Sequence, residues 1–144
     1  MDQIITTLED LFKKLPSLPK DIKELIVKNA PILNYIIIAI TAYSAIMLFG
    51  VTSYFSTFAP IIPVHSIFGF STFLSLAFLV ASVVLFIKAI PGLKNQKIDG
   101  WNMMFYASLI QLVYSFFSGN LISQLFGTVV GLYFLFQVKS YYKK

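Results

Sequence analysis

The sequence predicts an all-α protein: an integral membrane four-helix bundle with an amphipathic cytoplasmic N-terminal helical segment. Three observations point there. Hydrophobic residues make up 58% of the 144-residue chain and charged residues 12%, against about 25% charged in soluble domains. The mean hydropathy is +0.81, and a soluble domain of this size has too little interior to hide that much apolar surface. The apolar residues also fall in four stretches whose flanking lysines all come to one side when the chain is threaded through a bilayer.

Residues 1–30 form the amphipathic segment. Ile4, Leu8, Leu11, Phe12 and Leu15 recur at helical spacing, with Glu9, Asp10, Lys13 and Lys14 on the opposite face. Pro16 and Pro19 end that helix, and a second short one follows with Ile22, Leu25 and Ile26 on its apolar side. No charged region leading into a short apolar core marks a signal peptide. Five lysines here face Asp2, Glu9, Asp10, Asp21 and Glu24. A helix adsorbed on anionic lipid carries a basic excess, so this balance predicts docking on protein, either the bundle's own inner face or a partner.

Residues 31–144 supply the four spans, at about 31–53, 65–90, 101–117 and 121–142. Asn29-Ala30-Pro31 suits a helix start, Pro91-Gly92 a helix stop, and Ser118-Gly119-Asn120 a tight turn between the last two spans. Crossing a hydrocarbon core of ~30 Å takes roughly 20 apolar residues; the third span is at the short limit.

Charge sets the orientation. All eleven lysines and all six acidic residues flank the spans on one side, and the loops at 54–66 and 118–120 carry no lysine. The positive-inside rule assigns the lysine side, with both termini, to the cytoplasm. That places the chain in the cytoplasmic membrane as a multi-pass protein. Trp101, Tyr141 and Tyr142 fall where an inner aromatic belt is expected, and Tyr54, Phe55 and Phe117 where an outer one is. The net charge of +5 is spent beside apolar spans, which argues against nucleic acid as a partner.

The pattern Gly100-Trp101-Asn102, Phe105-Tyr106 and Leu135-Phe136-Gln137-Val138-Lys139-Ser140-Tyr141-Tyr142 resembles small four-span bacterial membrane proteins. The resemblance covers roughly residues 91–144. It implies the topology and no activity.

Few residues are candidates for chemistry. Gly127 and Gly131 form a GxxxG pair in the fourth span, extended one turn outward by Ser123. Small residues four apart let helix backbones approach closely. The contact is either a homodimer face or a neighbouring span, such as the second through Ala77 and Ala81, and the tight turn favours the neighbour. Gln111 lies near the middle of the third span, with Tyr114 and Ser115 one turn on and Gln124 beyond the turn. Such a polar cluster is either interhelical glue or the lining of a polar pathway. Ser71, Thr72, Ser75 and Ser82 give the second span further polar content that helix packing explains. His65 is the titratable group of the outer face, but one histidine without carboxylate or thiolate neighbours is a poor metal site. The apolar loop at 56–65 is expected either to lie in the headgroup layer or to re-enter the bundle, and unsatisfied backbone favours the former.

The absences narrow the function. The chain has no cysteine and no arginine, which removes thiolate chemistry and bidentate phosphate recognition. No span carries a buried acid or histidine of the kind that couples transport to ions. No catalytic set, cofactor motif or metal cluster is legible, so an enzyme is not expected. The sequence points to a non-enzymatic protein acting by association as subunit, scaffold or assembly partner, in contact with membrane lipids and with a second copy or another membrane protein. The alternative is an oligomeric passive conduit, or holin-like pore, for small uncharged solutes.

Overall fold

A computed structural model describes residues 2–58, 70–118 and 121–143. The chain is all-helical, 91% in helix and without a strand among those residues. Five helices follow in order: α1 (Asp2–Lys13), α2 (Lys20–Phe58), α3 (Phe70–Lys94), α4 (Ile98–Ser118) and α5 (Leu121–Val138), closed by a 3-10 turn at Lys139–Tyr141. α3 packs against both α2 and α4, α5 packs against α4, and α1 lies across the end of α5. Two helices, over Lys20–Val51 and Thr72–Lys94, are long and apolar enough to cross a membrane.

The buried stripes explain the packing. α3 buries Ser75, Leu79, Ser82, Phe86, Ala89 and Leu93, spaced alternately four and three, which is the seam of a left-handed helical bundle. α2 buries Val27, Asn34 and Thr41 at seven-residue steps. The large apolar core collects at the lysine-rich end, around Trp101, Phe105, Leu132 and Phe136. Trp101 stacks on Phe105 with centroids 5.5 Å apart and meets Phe136 edge-on at 5.4 Å. Its indole N–H donates to the Leu135 carbonyl at 2.8 Å and ties α4 to α5.

Two of the proline signals, at Pro31 and Pro91, are overridden. α2 runs through Pro31 without a break, where a helix start is expected. Proline removes one backbone bond and costs about 3 kcal/mol in a helix interior. Val27 is buried just before it, and Ile26 and Ala30 pack on the same core, so tertiary contact holds the two segments in one helix. α3 likewise continues past Pro91 to Lys94. It ends when Gln96 adopts a left-handed φ of 51°, with Lys97 N–H bonded to Gly92 O at 2.8 Å and Gln96 N–H to Leu93 O at 3.2 Å. Those two bonds make a Schellman cap.

Gly92, expected as a stop, is instead the point where α3 crosses α4. A Cβ on Gly100 would stand 2.5 Å from Gly92 C and Leu93 N, closer than side-chain carbons approach backbone. The turn beyond is pinned by the C-terminus: Ile98 N–H donates to Lys143 O at 2.7 Å, and Lys143 N–H to Gln96 O at 2.9 Å. Trp101 and Tyr142 are buried at 0% and 7% exposure, which corrects their placement in an aromatic belt. The core needs their area more than the interface does, because it is the one place where α1, α4 and α5 converge. Phe55 and Phe117 have side chains outside the described residues; of the expected loop at 56–65, residues 56–58 instead continue α2, and the rest, with His65, lies outside the described residues.

Candidate functional site

The candidate site is the face between α2 and α5. These two helices touch only lightly, and an apolar cavity of 580 Å³ opens between them. Ala30, Leu33 and Ile37 line it from α2, Gly127, Gly131 and Leu135 from α5, with Phe86 and Gln111 at the back.

Gly127 and Gly131 are exposed, and a Cβ added to either would meet nothing within 4 Å. This corrects the expectation of a contact with a neighbouring span. α5 buries Thr128, Leu132 and Phe136, the stripe one position round from the glycines, and Ala77 on α3 is itself exposed. The short link to α4 brings that adjacent stripe inward and leaves the glycines facing out. The side chain of Ser123 lies outside the described residues.

The polar cluster is dispersed. Gln111 is half-buried and its Nε2 makes a long contact, 3.5 Å, to Thr41 Oγ1 across the bundle. Ser115 is fully buried and its hydroxyl donates to Leu112 O at 2.6 Å. Tyr114 is half-buried one turn from Gln111, and the side chain of Gln124 lies outside the described residues. Ser82 donates to Phe78 O at 2.8 Å. Helix packing absorbs most of these groups.

Sequence reasoning missed Asn34. It is fully buried on α2, and its Nδ2 donates to Phe86 O at 2.7 Å while Oδ1 has no partner among the described residues. The signal was present in the seven-residue step from Val27 through Asn34 to Thr41, which marks an inward position.

At the lysine-rich end α1 is docked on the bundle, one of the two placements that its charge balance predicts. Phe12 stacks on Phe136 at 5.2 Å, Glu9 pairs with Lys139, and Tyr133 donates its hydroxyl to Pro16 O at 2.6 Å. Lys13 adds a second contact to Glu9 at 3.1 Å. The Lys139 hydrogen bond, with help from Lys13, holds the Glu9 carboxyl below the usual carboxylate value. Lys139 Nζ also stands 5.3 Å from the Trp101 ring centroid, a cation–π contact. The sequence shows both charges, but nothing in it pairs positions 130 residues apart.

Among the described residues no group of three or more His, Asp or Glu could hold a metal. Comparison with protein-family models, with characterised proteins and with solved structures finds no match to this chain.

Proposed function

We propose that this is a four-span protein of the cytoplasmic membrane that acts by association with other membrane components at the α2–α5 face, not by catalysis. The membrane reading is supported by an inside-out distribution of side chains. Asn34, Thr41, Ser75, Ser82, Ser115 and Thr128 are buried, while Ile40, Ile46, Phe70, Phe73, Ile122 and Phe126 are more than 60% exposed. In water that arrangement is unfavourable at about 25 cal/mol per Å² of apolar surface; in hydrocarbon it carries no such penalty.

The single observation that carries association is the open glycine face. Two glycines one turn apart border an apolar cavity, and a Cβ added to either would meet nothing within 4 Å, whereas a Cβ on Gly92 or Gly100 would run into the other's backbone. The conduit reading is weaker on this ground. Ser115 and Ser82 bond within their own helices and Asn34 bonds across to α3, so these side chains are turned into packing.

The test is the native mass of the complex, extracted in mild detergent from its own host. We expect a discrete mass above the 16.2 kDa of the chain, reduced by Gly131→Leu and little changed by Val130→Leu. A bare chain, or equal tolerance of the two substitutions, overturns the reading.

A further inference from the structure

The α2–α5 cavity has an apolar body and a basic mouth on one stripe of α2. Ile26, Ala30, Leu33 and Ile37 line the cavity, at steps of four, three and four, so Lys23 sits one turn earlier on that same stripe. Lys20 and Lys23 share a hollow of 300 Å³ with Ser140 and Tyr141, beside the Ile26 and Tyr142 end of the cavity. Neither lysine is in an ion pair among the described residues, whereas Lys13 and Lys139 are both held by Glu9. Glu9 borders another hollow together with Lys23 but is paired with Lys13 and Lys139, and the acids nearest in sequence point elsewhere. Asp21 lies about 200° round the helix from Lys23, and Glu24 borders a separate hollow with Lys28 and Lys94.

Length decides what fits. From Ile26 to Ile37 on α2, and from Gly127 to Val138 on α5, the lining runs eleven residue steps, a rise of about 16 Å. That is close to half of the ~30 Å hydrocarbon core. The cavity therefore matches an acyl chain of one leaflet, the one on the lysine side.

We propose that the cavity binds an anionic phospholipid, with its phosphate between Lys20 and Lys23 and one acyl chain running over Ala30 and Leu33 toward Gly131 and Gly127. The absence of side chains at the two glycines leaves room for the chain's end. This rests on the four-span association reading and names the occupant of that face.

The experiment is native mass spectrometry of the full chain in mild detergent, titrated with phosphatidylglycerol or with phosphatidylcholine of the same acyl chains. We expect one phosphatidylglycerol retained in preference to phosphatidylcholine. Lys20→Ala/Lys23→Ala should weaken retention about 30-fold, from two lysines near an anionic headgroup, and Lys97→Ala should leave it unchanged. Ala30→Phe, which fills the cavity, should displace the lipid, and excess glycerol phosphate should not. Equal retention of both lipids, or an unchanged affinity in the double variant, overturns the proposal. A mass increment of a second 16.2 kDa chain overturns the lipid and keeps the association reading. No increment of any kind overturns both.

Discussion

Replacing Gly92 with alanine adds one methyl group where α3 and α4 cross most closely. That methyl would stand 2.5 Å from Gly100 Cα and closer still to its nitrogen. Reaching the 3.4 Å of ordinary contact requires the helices to separate by about 0.9 Å, and the obstacle is backbone, which cannot rotate aside. Overpacking of this kind costs about 1–3 kcal/mol, with the rigid contact placing it in the upper half. Alanine regains about 1 kcal/mol through its better helix propensity, leaving a net loss of roughly 1–2 kcal/mol. Gly50→Ala is the matched control, because a Cβ there meets nothing within 4 Å and only the propensity gain remains. Equilibrium unfolding in micelles reads both variants through Trp101, the sole tryptophan, which follows Gly100 directly on α4. Gly92→Ala as stable as Gly50→Ala would refute the tight crossing.

Other expectations follow from the same contacts. Cysteines placed singly at Thr57, His65 and Gly119 should label from outside in a chain with no cysteine of its own, and those at Asn95 and Lys144 from inside; external labelling at Asn95 sinks the topology. Because the folded Glu9 carboxyl titrates below its usual value, its contribution is complete above the unfolded pKa and lost as pH falls through the folded one. Docking of α1 should therefore loosen on acidification below about pH 4.5, read as a change in Trp101 emission, and Glu9→Gln should abolish that step. Gln96→Gly should raise stability by about 1 kcal/mol, since a side chain in the left-handed region is relieved; a loss of stability would mean the Gln96 side chain has a structural role.

Composition and periodicity are properties of short stretches, which is why the helical class could be read from residues alone. The two glycine pairs show where that legibility stops. Gly127 and Gly131 have the spacing of a packed seam and are open, while Gly92 and Gly100 carry no such spacing and leave no room for a Cβ on either. A glycine's neighbours depend on which helix arrives opposite it, and that is settled by loop length and by which adjacent stripe buries more area. On α5, Leu132 and Phe136 turn inward toward Trp101, and the glycines, one position round, are left exposed.

By itself the sequence determined the all-α class and the apolar stretches, because each is written in local composition. Only the tertiary structure decided that α2 runs unbroken through Pro31, that Trp101 is core, that Asn34 is buried, and that α1 docks through Glu9 and Lys139. Each of those depends on residues distant in sequence meeting in space, and the free energy of such a meeting outweighs the local preference of a proline, an aromatic or an amide for somewhere else.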